Sequence, residues 1–340
     1  MFEDERYLPE IENLLFKYHL KKEKKHRYRL EKKNITMLEG NLLYLNDNFM
    51  SLNFIGKGTY GKVFRMKEIK NSKIFAGKEL EIFGTFEYIL SIYLREIKII
   101  LSFQHPNIVF AKEIRFSKSF NRIFILMEYC EHTLASKIIS NRECKNRLSL
   151  LSIRRVIRQL LLGIDILHKN GVVHRDLKPH NILVNNRNVY KICDFGLARF
   201  FFIQNIPMSG NIVSLWYRAP ELLLFEENLS GTSIDTWSIG CIFGELILDK
   251  ILFQGKNEID QLQKIFNVMG LPNSDIWINL HFLPFEKISN FKYQPFNRLK
   301  KVFQKTSIDS NGIDLLQRLL TFDPLKRISI RGAINHPFFY

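Results

Sequence analysis

The stretch from His174 to Asn181 limits most strongly what this chain can fold into. It brings a carboxylate, an ammonium and a carboxamide together in eight residues, at Asp176, Lys178 and Asn181. Short apolar runs flank it on both sides. A polar loop between two buried segments is how reactive groups are mounted on a rigid scaffold, so this pattern indicates a catalytic site.

A second polar segment, Asp194-Phe195-Gly196, lies 18 positions after Asp176 and follows another apolar run. The Asp194 carboxylate and the Asn181 carboxamide offer hard oxygen ligands of the kind that Mg²⁺ takes. A single Asp is more often a loop residue satisfied by its neighbours. Coincidence does not account for Asp, Lys and Asn at relative positions 0, 2 and 5 followed by Asp-Phe-Gly.

These two segments resemble the catalytic and metal-binding loops of eukaryotic protein kinases. The resemblance covers residues 50–340 and implies an α+β, bilobal protein-kinase fold. A small N-lobe with an antiparallel sheet and one regulatory helix would be joined to a larger, mainly helical C-lobe. The implied divisions are a partly helical extension at 1–49, the N-lobe at 50–127, a hinge at 128–133 and the C-lobe at 134–340, with an activation segment at 194–221.

The glycine-rich segment from Gly56 to Gly61 lies between two stretches of alternating apolar residues. A dinucleotide-binding fold uses the same glycine spacing but needs a helix directly after it. Here the β-branched Val63 indicates a second strand. The glycines are therefore predicted at a hairpin tip, where backbone N–H groups reach phosphates as in a kinase glycine-rich loop.

The resemblance implies ATP and Mg²⁺ as the small molecules used. Lys78 would contact the α- and β-phosphates, and backbone groups of Glu128 and Cys130 would bind adenine. Thr133 stands where many relatives carry an Asp that reaches the ribose. The residues expected to line the ATP site are Ile55, Gly56, Lys57, Gly58, Thr59, Tyr60, Gly61, Lys62, Val63, Ala76, Lys78, Glu128, Cys130 and Leu183.

The implied reaction is transfer of the γ-phosphate of ATP to a protein hydroxyl. Asp176 would orient this hydroxyl and accept its proton, and Lys178 is typical of serine/threonine kinases. The implied catalytic set is Asp176, Lys178, Asn181, Lys78 and Glu96, with Asn181 and Asp194 as the metal ligands.

The segment Trp216-Tyr217-Arg218, preceded by Val213 and Ser214, resembles the proline-directed kinases. In that group the arginine side chain hydrogen-bonds the valine carbonyl oxygen. The backbone N–H of the substrate residue after the phosphoacceptor then has no acceptor there. Proline lacks this N–H and is preferred. Val213, Ser214 and Arg218 are thus the expected substrate pocket, and Ser/Thr-Pro segments of proteins the expected substrates.

Within this group the similarity is greatest to cyclin-dependent kinases of the PITSLRE-type branch, on residues 241–246 and 258–261. A cyclin is therefore an expected partner. The helix motif at 90–96 lacks the usual proline and carries bulky Ile92 and Tyr93. The identity of the cyclin, and the need for one, stay open.

The resemblance also implies regulation by phosphorylation. Ser209 falls at the activation-loop phosphosite, and a phosphate there would order the loop by bridging an arginine cluster. Thr59 and Tyr60 match the inhibitory phosphosites of cyclin-dependent kinases, although they could equally be plain hairpin-tip residues. The arginines of the expected cluster are Arg95, Arg175 and Arg199.

The net charge of +16 fits acidic, phosphorylated or nucleic-acid-associated partners, and it fits a solvated basic surface without a partner equally well. Residues 17–33 carry nine Lys/Arg against two Glu, and most of them fall in a predicted amphipathic helix at about 9–30. This basic run resembles a nuclear-targeting or nucleic-acid-contacting patch, although a solvated helix face is the commoner case. The expected location is the nucleus, and also the cytoplasm. No apolar run reaches the ~18 residues of a membrane span, so no membrane partner is expected.

The sequence thus predicts a serine/threonine kinase of cyclin-dependent type that acts in cell-cycle control or in transcription and RNA processing. A cyclin-independent proline-directed kinase is one alternative. A pseudokinase scaffold without turnover is another, disfavoured because every catalytic position is intact.

Overall fold

The computed structural model describes residues 48–58, 61–81, 96–116, 122–200, 215–225, 231–278, 280, 291 and 294–340. The chain divides into two compact units. One comprises Met1–Cys130 with Asp194–Gly196, and the other comprises Glu131–Cys193 with Leu197–Tyr340. The division falls within the range 128–133, for which a hinge was predicted.

The first unit is built on a five-stranded antiparallel sheet with the strand order β1-β2-β3-β5-β4. Residues 96–102 are helical. One face of the sheet packs into a small apolar core around Phe49, Met66, Phe124 and Leu126. The strands are β1 (Phe49–Gly58), β2 (Gly61–Glu68), β3 (Ile74–Glu81), β4 (Ala111–Phe116) and β5 (Arg122–Glu128).

The glycine-rich segment lies where β1 pairs with β2. Gly56 is opposite Val63, Lys57 opposite Lys62, and Gly58 opposite Gly61. A side chain at Gly61 is excluded, because a Cβ atom there would lie 2.0 Å from the carbonyl oxygen of Glu79. The predicted strand after the glycines is present, and the alternative of a dinucleotide-binding helix is wrong.

The second unit is mainly helical. Its helices are α1 (Leu134–Glu143), α2 (Leu150–Lys169), α3 (Glu221–Leu224), α4 (Ser233–Leu248), α5 (Glu258–Met269), α6 (Leu299–Phe303), α7 (Ser310–Leu319) and α8 (Ile330–Ile334). Five short strands complete it: β6 (His132–Thr133), β7 (Val172–Val173), β8 (Ile182–Val184), β9 (Tyr190–Ile192) and β10 (Arg199–Phe200). The sheets are β6-β8-β9 and β7-β10.

Helix α4 is the centre of this unit, because it is largely apolar and every residue from Ile234 to Ile247 is buried. A helix that is hydrophobic all round can be stable only when it is surrounded by protein. Trp237 in α4 is fully buried and lies against the rings of Phe253 and Phe322. Helix α2, in contrast, is amphipathic and packs against α4 with its apolar side.

Thr133, which stands where many relatives carry an Asp, is the N-cap of helix α1. The Thr133 Oγ1 atom accepts a hydrogen bond from the Ser136 N–H, and the Thr133 N–H donates to Ser136 Oγ. This reciprocal arrangement is a capping box, and it gives Thr133 a local structural role.

The antiparallel sheet of one unit and the helices of the other confirm the predicted α+β kinase architecture. Among the described helices, none combines the length and the apolar character that crossing a membrane requires.

Candidate active site

The predicted catalytic loop closes around the side chain of Asp176, which is buried. Its Oδ2 atom accepts hydrogen bonds from Lys178 Nζ at 2.7 Å and from Asn181 Nδ2 at 2.9 Å. Asn181 Nδ2 also donates to the Asp176 carbonyl oxygen at 2.8 Å. The three polar side chains that define the sequence pattern therefore form one hydrogen-bonded group.

This loop is held from beneath by Asp235 of helix α4, which is fully buried. Its carboxylate accepts the backbone N–H groups of His174 and Arg175, both at 2.9 Å, and contacts His168 Nε2 at 2.8 Å. Burial opposes ionisation, but the hydrogen bond from His168 and the charges nearby lower the pKa of Asp235. Asp235 is therefore a fixed anion that orients the loop backbone.

The backbone of Arg175 needs this support because its φ angle is +70°, in the left-handed region. Such a conformation is uncommon for a residue with a side chain and persists where surrounding contacts impose it. Two consecutive N–H groups bound to one carboxylate supply that constraint.

The first unit contains a second polar group, centred on Lys78 of β3. Lys78 Nζ lies 2.5 Å from Glu96 Oε1 and 2.8 Å from Asp194 Oδ1. Burial would lower the pKa of Lys78, but the two carboxylates outweigh it and raise the pKa above its usual value. The ammonium group therefore stays charged, as contact with a phosphate requires.

Asp194 contributes to this group from a strained backbone position, with φ of +64°. Its side chain is 21% exposed, compared with 2% for the Glu96 side chain. Burial, as the largest influence, raises the pKa of Glu96, and Lys78 opposes the rise. Of the two carboxylates, Asp194 is the one that solvent or a ligand reaches.

The expected adenine-binding residues lie at the end of β5. The Glu128 N–H donates to the Phe110 carbonyl at 3.0 Å, and Glu128 Oε1 accepts the Phe110 N–H at 2.7 Å. The N–H of Glu128 is therefore already used in a hydrogen bond within the protein. Ala76 is buried and Val63 and Leu183 are half-buried.

The start of the glycine segment is open to solvent. Ile55 is 40% exposed, and a Cβ atom added at Gly56 would meet nothing within 4 Å. Lys57 and Lys62 are exposed side by side across the hairpin.

Two of the three predicted cluster arginines are described. Arg175 lies in the catalytic loop and is buried, and Arg199 pairs across β10 and β7 with Val173. Arg199 Nη1 donates to the Ala198 carbonyl at 2.9 Å. Because Val173 lies two positions before Arg175, this strand pairing places the backbone of Arg199 next to the start of the catalytic loop.

Arg218 of the expected substrate pocket is buried and pairs with Glu258. Several other predicted residues lie outside the described part of the chain. These are Thr59, Tyr60, Arg95, Ser209, Val213 and Ser214, together with residues 1–47 of the extension.

Sequence reasoning did not assign roles to two residues that support the site. His168 lies in the last turn of α2 and reaches Asp235, and Glu258 begins α5 and reaches Arg218. The terminal position of each on a helix is visible in the sequence. Their partners, 67 and 40 residues away, are not.

Comparison with known proteins agrees with this geometry. The family model "Protein kinase domain" matches residues 49–339. Cyclin-dependent kinase G-2 of Oryza sativa subsp. indica is 44% identical over 86% of this chain and 41% of its own length. The chain thus spans about two fifths of that relative. Cyclin-dependent kinase 11 of Dictyostelium discoideum is 41% identical over 86% of this chain and 80% of its own length.

A solved structure is also similar, the crystal structure of the yeast RNA Pol II CTD kinase CTDK-1 complex. One of its chains superposes with a TM-score of 0.76 at 32% identity, covering 86% of this chain and 92% of that one. The family match, the named relatives and the fold agree. This chain belongs to the protein kinases and, within them, to the cyclin-dependent kinase family.

Proposed function

We propose that the protein transfers the γ-phosphate of ATP to serine or threonine hydroxyls in protein substrates. The observation that carries this proposal is the buried Asp176 carboxylate, bonded to both Lys178 and Asn181 in one loop. A carboxylate held in this way is oriented to accept a proton from a hydroxyl, while the adjacent ammonium offsets phosphate charge.

Positioning and electrostatics do most of the work in phosphoryl transfer, because its transition state is loose. Asp176 orients the hydroxyl and accepts its proton. Lys178 and Lys78 stabilise the negative charge on the phosphates, and Glu96 holds Lys78 in place. Asp235 keeps the loop backbone in position through the His174 and Arg175 amides.

Asn181 and Asp194 carry oxygen donors of the kind that Mg²⁺ takes, and a bound ion would neutralise charge on the phosphates. The Asn181 side chain donates both of its hydrogen bonds to Asp176 through its NH₂ group, and its amide oxygen is the atom that would bind the ion. Asp194 carries a partly exposed carboxylate. Among the described residues, no group of three or more His, Cys, Asp or Glu side chains is arranged to hold a metal ion.

For the nucleotide, the proposal assigns the adenine contact of Glu128 to its carbonyl, because its N–H already bonds Phe110. Cys130 supplies the second backbone group. The glycine segment of β1 and β2, with Val63, Ala76 and Leu183, supplies the remaining contacts.

We assign the preference for proline after the phosphoacceptor to Arg218, acting with Val213 and Ser214. A cyclin is the proposed partner, since the relatives named above are cyclin-dependent kinases. Nucleic-acid binding by residues 1–49 and location in the nucleus rest on the basic run at 17–33.

The test is transfer of labelled γ-phosphate to a Ser-Pro peptide by the full chain, alone and with a panel of cyclins. The expected result is transfer that requires Asp176 and disappears in the Asp176→Asn variant. Activity with only one cyclin would identify the partner, and activity without any would favour a self-sufficient proline-directed kinase. No transfer under any condition, with ATP still bound, would favour the scaffold alternative.

A further inference from the structure

The segment that contains Arg218 is short and tightly folded. Leu215–Tyr217 form one turn of 3-10 helix, which ends where the Arg218 N–H donates to the Leu215 carbonyl at 3.1 Å. The guanidinium side chain of Arg218 is only 8% exposed. A charge buried to this extent depends on an opposite charge to hold it there.

Glu258 provides that opposite charge from a different part of the chain. Its Oε1 atom lies 2.7 Å from Arg218 Nη1, while its own side chain is 56% exposed. Glu258 is the first residue of α5, where a negative charge is favoured by the helix dipole. The ion pair therefore joins a buried cation to an anion on a regular, capped helix.

A second contact fixes the same segment on the other side of Tyr217. Trp216 Nε1 donates to the Gly255 carbonyl at 2.9 Å, and the Gly255 N–H donates to Gln261 Oε1 at 2.8 Å. Gln261 is fully buried. A Cβ atom at Gly255 would lie 2.5 Å from backbone atoms of Gln261, so the turn admits only glycine.

We propose that Glu258 is a positioning residue that sets the preference for proline after the phosphoacceptor, by holding Arg218 in its buried orientation. The inference rests on the proposed function, which assigns this preference to Arg218. Without the Glu258 charge, the guanidinium loses the ion pair that holds its Nη1 atom against α5, and its buried orientation is less strongly favoured. The first turn of α5 is thus part of the specificity apparatus, although it contributes no group to the phosphate chemistry.

The test compares Glu258→Gln with Asp260→Asn in the full chain. Asp260 lies in the same first turn, and asparagine can still accept the Lys256 N–H, so the control removes an equal charge without touching Arg218. The readout is kcat/KM on two peptides that differ only in proline or alanine after the serine. We expect the proline-to-alanine ratio to fall roughly tenfold in Glu258→Gln and to change less than twofold in Asp260→Asn.

Amide hydrogen exchange over residues 215–225 tests the same pair without relying on activity. We expect faster exchange in Glu258→Gln than in Asp260→Asn, because the Arg218 amide belongs to the segment that the pair holds. Unchanged exchange would overturn the inference, even in a preparation that transfers no phosphate.

The two proposals fail differently. A wild-type protein that never phosphorylates the Ser-Pro peptide contradicts the proposed function, while the exchange result still decides the role of Glu258. Equal loss of kcat/KM on both peptides in Glu258→Gln would show a general structural role and would refute the positioning role. An unchanged ratio would refute it as well.

Discussion

Two buried ion pairs, one in each unit, differ in how completely their polar atoms are satisfied. In the helical unit, Arg327 donates to both Glu221 oxygens, at 2.6 and 2.9 Å, and both side chains are almost fully buried. Arg327 also donates to three backbone carbonyls and lies over the Trp237 ring. This pair is closed, with every donor direction used.

The pair in the sheet unit is open by comparison. Lys78 bonds Glu96 and Asp194, but Glu96 Oε2 is buried and has no hydrogen-bond partner among the described residues. A buried acceptor without a donor is costly to leave unsatisfied. The comparison teaches that a closed pair supports the fold, whereas an open pair keeps a charge available for chemistry.

The largest effect is expected from Lys78→Met. Removing the ammonium removes its charge from the phosphates, and we expect phosphoryl transfer to fall about 10³-fold or more, near 4 kcal/mol. Initial rates on the Ser-Pro peptide measure this. Lys112→Met is the matched control, since Lys112 forms an ion pair with Glu68 in the same unit. Equal losses in the two variants would contradict a specific role for Lys78.

Arg327→Met tests the closed pair. It leaves Glu221 buried without its partner, which typically costs about 3–4 kcal/mol of unfolding free energy. Urea denaturation followed by fluorescence measures the loss. The variant Arg327→Met/Glu221→Leu, which removes both charges, should recover part of it. A loss below about 1 kcal/mol in the single variant would show that the closed pair does not support the fold.

Glu96→Gln tests whether the open pair contributes to activity more than to stability. Glutamine keeps an acceptor for Lys78 but removes a charge, so we expect activity to fall about tenfold to a hundredfold. Stability should change little, because Asp194 still compensates Lys78. Glu68→Gln serves as the control. A stability loss as large as that of Arg327→Met, with activity intact, would reverse the assigned roles.

The exposed contacts of Asp314 with Arg318 and His336 show how much less an exposed pair contributes to stability than the two buried pairs. The hydrogen bonds from His336 and Arg318 lower the pKa of Asp314 below its ordinary value of 3.8. A lowered folded-state pKa means that the carboxylate stabilises the fold at neutral pH and loses this contribution as the pH falls through that pKa. Because the side chain is 46% exposed, Asp314→Asn should cost only a few tenths of a kcal/mol.

Unfolding curves of wild type and Asp314→Asn should therefore differ slightly at pH 7 and converge below about pH 4. A difference that grows as the pH falls would have the wrong sign for a lowered pKa.

The sequence by itself determined the family, the antiparallel sheet and the residues of the polar group in the catalytic loop. Asp176, Lys178 and Asn181 are at most five residues apart, so one loop necessarily brings them together. The strand at Val63 was predictable because its β-branched residue follows the glycines where a dinucleotide fold requires a helix. The burial of helix α4 was predictable because residues 239–248 form a long apolar run that only Glu245 interrupts.

Several other contacts between distant groups were decided only by the tertiary structure. Asp235 lies 61 residues from His174, Glu258 lies 40 from Arg218, and Asp194 lies 116 from Lys78. The resemblance pairs Lys78 with Glu96 and Arg327 with Glu221. It does not predict the Glu96 oxygen that lacks a partner among the described residues, nor the three backbone carbonyls that Arg327 also bonds. Local periodicity reports which face of an element is buried. The charge that meets a buried group depends on packing between elements that the chain places far apart.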